Sequence, residues 1–413
     1  MNPLYNFGIH AYAFGAKLLS LRNAKVKKMV KGQSRTFDYL HEHAAEIEGC
    51  VWIHAASLGE FEQGRPLIER LRRERPDKKI LLTFFSPSGY EVRKNYPQVD
   101  AVAYMPFDTP RNARRFLDIV KPSMAIFVKY EFWGNYLRQL SKRKIPTFII
   151  SAIFRPKQIF FRWYGGEFRK ILRSFNHLYL QDDASAKMLK EIGIENVSVV
   201  GDTRFDRVTD ILSSAADVLG IDKFGTNARM RIVFGSSWGA DEEKYIPWLN
   251  KHTEVAAIIA PHEFNEQRLE ALADSIKGKV MRLSQWEKSC FEGNVPEGVR
   301  ALIVDSFGKL ATLYRYGDAA YIGGGFGVGI HNINEAAVYG IPVVFGPNYA
   351  KFKEAHDLIG IGGAFTCADR SEVEATLSNL LIGKSARENA GRIAGGYIKR
   401  NLGATARIFA DLF

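Results

Sequence analysis

The sequence predicts an α/β protein built from two doubly wound domains of similar size. From residue 50 onward, short β-rich runs alternate with helical patterns, the rhythm of parallel sheets flanked by helices. That rhythm lapses across 207–229 and restarts at residue 230. The chain has 413 residues, enough for about two or three ordinary domains.

In chain order, the runs at 51–54, 80–84, 101–104, 124–128, 147–150, 177–180 and 198–200 read as strands. Helical stretches at 62–73, 111–118 and 183–192 separate some of them. Residues 207–229 read as a helix and a Gly/Asn-containing loop, a linker. Strands follow at 231–234, 255–260, 301–304, 319–322 and 342–345. The expected organisation is an N-terminal segment 1–36, a Rossmann-like domain 37–206, the linker 207–229, a second Rossmann-like domain 230–385, and a helix 386–413 near the domain junction. In such folds ligands bind outside the carboxyl ends of the strands, so the site is expected in a central cleft faced by both domains.

The N-terminal segment carries no acid before Asp38, but it holds Lys17, Arg22, Lys25, Lys27, Lys28, Lys31 and Arg35. Apolar residues recur at Leu4, Phe7, Ala11, Phe14, Leu18 and Leu21, with a second row at Tyr5, Ile9, Tyr12, Ala16 and Leu19. His10, Lys17, Asn6 and two glycines weaken it as a spanning helix, and no signal-peptide cleavage pattern follows. An interfacial anchor on an anionic leaflet fits the pattern. A first amphipathic helix packed on the body of the protein is the other reading.

Composition excludes several classes. A 46% hydrophobic and 25% charged chain is globular rather than disordered. Cys50, Cys290 and Cys367 lie too far apart for a disulfide scaffold or a zinc ribbon. The net charge of +12 points to an anionic partner: nucleic acid, anionic lipid or a phosphorylated substrate.

The motifs sit at predicted strand ends. His54-Ala55-Ala56-Ser57-Leu58-Gly59-Glu60 follows the first strand and is one residue short of the G-x-S-x-G elbow. It follows the wrong strand for a serine hydrolase, and no acid-then-histidine pair stands out. Instead the turn presents Glu60 at a helix N-terminus, as general base or as helix cap. Lys129-Tyr130-Glu131-Phe132-Trp133-Gly134-Asn135 ends another strand, which puts Lys129 and Glu131 at a usual place for substrate contact or in a surface turn. Arg204, in Gly201-Asp202-Thr203-Arg204-Phe205-Asp206, is a cation suited to a phosphate or carboxylate.

Residues 319–348 bring five glycines within seven positions, then a helix start expected near Asn332. Such a turn lets backbone amides approach a phosphate, with Glu335 available to ribose hydroxyls, although neither G-x-G-x-x-G nor a P-loop is present. Pro261-His262 and Asp305-Ser306-Phe307-Gly308-Lys309 end two further strands and fit the same nucleotide pocket. His41-Glu42-His43 has the wrong spacing for a metal pair, and H-E-x-x-H is absent. Residues 153–175 interleave six cations with Phe160, Phe161, Trp163 and Tyr164 against the single acid Glu167. That pattern suits a lipid headgroup surface or base stacking; the N-terminal helix favours lipid.

In order and spacing, HAASLGE, LLTFFSPSG, PFDTP, KYEFWGN, GDTRFD, GSSWGADEE, APHE, DSFGKL, GIHNINEAA and GPNYAKF resemble the Kdo (3-deoxy-D-manno-octulosonic acid) transferases of lipopolysaccharide synthesis over essentially the whole chain. The resemblance implies a two-domain GT-B fold and inverting, metal-independent transfer without a cofactor. It implies CMP-Kdo as donor and a tetraacylated, bisphosphorylated lipid A precursor as acceptor, with no role for nucleic acid. It also implies a protein anchored by its N-terminal helix at the cytoplasmic side of the inner membrane. Glu60 is then the general base, Arg204 the cation offsetting developing charge, and Pro261, His262, Phe307, Gly308, Lys309, Asn332, Ile333, Asn334 and Glu335 hold CMP. Where the family commonly reads E-T-E-L-W-P-N, the first acid is Lys129 here, which is expected to pair with the sugar carboxylate. Arg204 stands for the family's Lys, and His262 for the Arg of P-R-H. Another nucleotide-sugar transferase or an epimerase of the same fold is the alternative.

Overall fold

The computed structural model describes residues 3–214 and 217–413, and the chain divides into unit 1, Met1–Asp206 with Leu402–Phe413, and unit 2, Arg207–Asn401. In unit 1 the strands are β1 (Val51–His54), β2 (Ile80–Phe84), β3 (Ala101–Tyr104), β4 (Met124–Val128), β5 (Thr147–Ala152), β6 (His177–Leu180) and β7 (Val197–Val199). They form one parallel sheet in the order β3-β2-β1-β4-β5-β6-β7, with Val51 aligned to both Ile80 and Met124.

Both faces of this sheet are buried, as a parallel sheet with crossover helices requires. Alternation along each strand sends Trp52, Leu81 and Phe127 to one core with Phe116, Tyr136 and Leu137. Val51, Ile53, Leu82 and Phe84 go to the other, against Phe61, Leu67 and Leu71. The helix after β1 (Leu58–Glu74) and the helix after β4 (Gly134–Lys142) therefore pack on opposite faces. Strand order reverses between β1 and β4, and this leaves a crevice outside their carboxyl ends.

Unit 2 repeats the arrangement with β8 (Met230–Ser237), β9 (Val255–Pro261), β10 (Lys279–Arg282), β11 (Val299–Ile303), β12 (Ala319–Ile322), β13 (Val343–Phe345) and β14 (Ala364–Thr366). The order is β10-β11-β9-β8-β12-β13-β14, all parallel, and the reversal falls between β8 and β12. The core holds Phe234, Tyr245, Trp248 and Tyr321.

The structure differs from the sequence expectations in four places. Strands β10 and β14 carried no signal, being short edge strands of four and three residues that are only partly buried. The stretch 386–413 is not one helix: Lys384–Arg400 belongs to unit 2, Gly403 turns left-handed (φ +95°), and Ala404–Leu412 belongs to unit 1. The segment 207–229 carries the rest of the helix Arg204–Ser214 and a 3₁₀ turn, Ile221–Lys223, with Ile221 and Phe224 buried; 215–216 lie outside the described residues. The N-terminal segment, whose residues 1–2 also lie outside them, forms two helices, Pro3–Leu19 and Ala24–Glu42. The second runs past residue 36 and buries Met29, Gln33, Thr36 and Leu40, so it is part of the body of unit 1. Among the described residues no helix is long and apolar enough to cross a membrane.

The returning C-terminal helix is held by Asp206, whose carboxylate accepts from the Gly403 and Thr405 amides at 2.5 and 2.6 Å. This is an N-cap supplied from a distant residue. Asp206→Ala is expected to destabilise the Ala404–Leu412 helix by about 1–2 kcal/mol, read as faster amide exchange there ahead of global unfolding.

Candidate active site

In unit 1 the loops leaving β1 and β4 meet at the strand-order reversal. After β1 the chain turns at Ala55–Ala56, pinned by Ala55 N–H to Thr83 O (3.0 Å) and Ser86 N–H to Ala56 O (2.7 Å). Ser57 is the N-cap of the helix Leu58–Glu74, and Glu60 lies half-buried in its first turn. The Ser57 hydroxyl makes no cap bond and donates to the Glu60 carboxylate instead. The Glu60 carboxylate thus takes a side-chain donor at the positive end of the helix dipole, a position compatible with either a helix-capping or a proton-accepting role.

After β4, Lys129 adopts left-handed backbone (φ +69°), unfavourable for a residue with a Cβ. Its amide is held by Ile150 O at 2.9 Å, and its ammonium lies 5.3 Å from the Tyr130 ring centroid. Burial pushes the Tyr130 phenol up, against an Arg155 hydrogen bond and charge that lower it, in the field of Glu60 and Asp182. Glu131 is buried and receives His54 Nε2 at 3.1 Å and the Trp133 indole N–H on the same oxygen. His54 Nδ1 meets Thr83 Oγ1 at 2.8 Å, and that oxygen accepts from Trp52 Nε1 at 2.8 Å. Trp52 can only donate, which leaves the Thr83 hydroxyl proton able to serve Nδ1; in that tautomer His54 carries its proton on Nε2, toward Glu131.

Arg204 begins the helix after β7. Its Nε and Nη2 lie 3.0 and 2.8 Å from Asp202 Oδ2, which also accepts from Gln63 Nε2 at 3.1 Å. Gln63 is one turn beyond Glu60 on the same helix. The structure thus gathers Glu60, Lys129, Glu131 and Arg204 at one end of unit 1, with Arg204 paired to a buried carboxylate rather than presented alone.

A further node was not singled out from sequence. Asp108 is fully buried, and its carboxylate accepts from Tyr5 Oη (2.6 Å), Asn135 N (3.0 Å) and Tyr136 N (2.9 Å). Burial raises its pKa to about 6, against the lowering effect of these donors. Asp108 and His54 lay inside quoted motifs, but their partners are far away in sequence; position at a strand end was the one available signal.

The two apolar rows of the N-terminal helix divide only in part. Tyr5, Ile9 and Ala16 of the second row turn toward the protein, whereas its Tyr12 and Leu19 are exposed, as are Leu4, Phe7 (73% exposed), Phe14 and Leu18 of the first. The basic aromatic run also splits: Phe160 is core, while Trp163 (91% exposed) and Tyr164 project.

In unit 2 the loops after β8, β12 and β13 interlock through glycine. A Cβ on Gly323 would lie 2.2 Å from Ser236 O, and one on Gly325 would lie 2.5 Å from Gly346 N. Asp241, in the first turn of the helix Gly239–Lys251, ties the β8 and β12 loops together by accepting from Gly324 N (2.8 Å), Trp238 N (3.2 Å) and Tyr321 Oη (3.2 Å). Burial pushes its pKa up and these donors oppose the shift.

Pro261 ends β9, and the exposed His262 stacks on Trp238 at 4.3 Å and meets His331 at 4.7 Å. Trp238 Nε1 donates to His331 Nε2 (3.2 Å), and burial, then His262, lowers His331. Phe307 is 84% exposed with its edge on Phe264, Gly308 turns left-handed (φ +83°), and Lys309 pairs with Glu287.

Asn332 donates to Glu335 at 3.1 Å, and burial raises Glu335. Asn334 and Ile333 are buried. The helix expected near Asn332 is a single turn, Asn334–Ala337, too short for a useful dipole. The thirteen-residue helix starting here is Gly239–Lys251, whose signal lay in GSSWGADEE. Among the described residues no group of three or more His, Cys, Asp or Glu is placed to hold a metal ion.

A family model described as 3-deoxy-D-manno-octulosonic-acid transferase (kdotransferase) matches residues 29–207. A 3-deoxy-D-manno-octulosonic acid transferase of Aquifex aeolicus is 27% identical over 87% of this chain and 94% of its own length. That of Haemophilus influenzae is 26% identical over 87% of this chain and 85% of its own. In fold the chain is similar to UDP-GlcNAc 2-epimerase from Neisseria meningitidis, at a TM-score of 0.58 and 14% identity over 87% of this chain and 98% of that one.

The Asp108 node gives a pH signature. Its carboxyl is raised from 3.8 to about 6, so its contribution to stability is full below about pH 4 and is lost as pH rises through 6. Between those limits the wild type should lose up to about 3 kcal/mol relative to Asp108→Asn, measured as unfolding midpoints of both proteins against pH.

Proposed function

We propose that this chain, which belongs to the Kdo transferase family and is a glycosyltransferase of the GT-B fold class, moves Kdo with inversion from CMP-Kdo to a tetraacylated, bisphosphorylated lipid A precursor (lipid IVA). The observation that supports this reading is that the segments carrying Glu60, Lys129 and Arg204 all follow carboxyl ends of the unit 1 sheet, with the Glu60 helix tied to the Asp202–Arg204 pair through Gln63 and Tyr130 lying in the field of Glu60. One carboxylate capable of accepting a proton stands among cations suited to an anionic sugar.

In this reading unit 1 takes the acceptor and unit 2 the donor nucleotide. Glu60 removes the proton of the attacking hydroxyl, and the Ser57 hydroxyl aims its carboxylate beforehand. Lys129 pairs with the Kdo carboxylate. Arg204 offsets the charge that builds on the departing phosphate, and its Asp202 pairing fixes the guanidinium so that little reorganisation is needed. Glu131 holds the Lys129 loop to β1 through His54.

CMP lies on the unit 2 loops Pro261–His262, Phe307–Lys309 and Asn332–Glu335, with the Trp238–His262 stack as a flat surface for the base. Transfer needs no metal. The outward row Leu4, Phe7, Phe14 and Leu18, with Trp163 and the neighbouring cations, supports attachment to the anionic cytoplasmic side of the inner membrane.

Glu60→Ala should lower Kdo transfer by about 10²–10⁴-fold while CMP affinity, measured by calorimetry, stays at the wild-type value. Loss of CMP binding would instead place Glu60 in the nucleotide pocket, and unchanged turnover would remove it as the base.

A further inference from the structure

The helix Gly134–Lys142 starts without a cap from its own N-cap residue, Trp133. Its first three amides are satisfied from elsewhere. Gly134 N–H donates to Tyr5 Oη at 3.0 Å, Asn135 N–H to Asp108 Oδ2 at 3.0 Å, and Tyr136 N–H to Asp108 Oδ1 at 2.9 Å. The Tyr5 hydroxyl spends its proton on Asp108 at 2.6 Å, so it accepts and donates within one node. The next residue, Asn6, accepts from Asn135 Nδ2 at 3.0 Å. The N-terminal helix is thus part of a composite cap.

The segment just before that cap, 129–133, carries Lys129 and Glu131. It is fixed at its start by Lys129 N–H on Ile150 O, in its middle by Glu131 on His54, and just past its end by Gly134 on Tyr5. Gly134 is buried, and a buried amide stripped of its partner is costly. A helix that only lay on a membrane would need no Tyr-Asn pair bonded into the protein beneath it. Here Phe7, Phe14 and Leu18 face outward while Tyr5 and Asn6 bond to the helix beneath, and all lie on one helix.

We propose that Tyr5 is a positioning residue for transfer: its hydroxyl holds the Lys129–Glu131 loop in place, so the membrane-facing helix is also a structural part of the acceptor-side site. The proposal rests on the reading of the chain as a Kdo transferase.

The test uses the full chain with acceptor in detergent micelles, where recruitment does not limit the rate. Tyr5→Phe should lower kcat about tenfold and lower the unfolding midpoint modestly, with KM for CMP-Kdo, CMP affinity and partition onto phosphatidylglycerol vesicles held near wild type. Phe14→Ser, on the outward row, should weaken vesicle partition and leave kcat in micelles unchanged. Amide exchange at Gly134 should quicken about tenfold in Tyr5→Phe. Should Tyr5→Phe fold poorly, Asn6→Ala removes the neighbouring bond and should give a smaller kcat loss of the same pattern.

Wild-type kcat in Tyr5→Phe, or a loss seen with vesicles but not micelles, would overturn the proposal. If the wild type itself transfers no Kdo, the functional reading fails. Exchange at Gly134 still decides the clamp, and an unchanged rate there overturns it.

Discussion

Right-handed crossovers on a parallel sheet can leave a strand toward either face, and where successive connections change face the sheet opens a crevice at its carboxyl edge. In unit 1 that change occurs between β1 and β4, with Phe61 and Leu67 on one side and Tyr136 and Leu137 on the other. The loops of HAASLGE and KYEFWGN have no other place to go. Unit 2 makes the same change between β8 and β12, which brings Trp238 and the glycines from Gly323 to Gly329 together.

A crevice lined by loops is useful only if the loops are held, and here buried carboxylates hold them. Removing a charge from water is costly unless donors surround it, so each buried acid recruits them from several elements. Asp108 joins the N-terminal helix to the helix after β4, Glu131 joins β1 to the β4 loop, and Asp202 joins the Glu60 helix to Arg204. Asp241 does the same work in unit 2. Glu60 and Lys129 themselves stay half-buried on the loops these carboxylates hold.

Much of this was legible in the sequence because burial on both faces writes strands as continuous apolar runs. The runs 51–54, 80–84, 101–104, 124–128, 177–180 and 319–322 coincide with strands to the residue. Edge strands such as Lys279–Arg282 bury too little to leave that mark. The place of Glu60 in the first helical turn was visible because strand end, glycine turn and helix start share one short motif. The roles of His54, Asp108 and Tyr5 were not, since each depends on a partner 77 to 129 positions away. The second row of the N-terminal helix was read as widening its apolar face; in the structure Tyr5, Ile9 and Ala16 of that row turn to the protein while Leu19 stays exposed and Tyr12 is half exposed against Phe107.

The most direct measurement is the mass of the product formed when the full chain is given CMP-Kdo, generated in situ, and radiolabelled lipid A precursor. The account predicts acceptor enlarged by one or more whole Kdo units, with CMP released in equal number. Acceptor of unchanged mass from a folded, CMP-binding protein would contradict it.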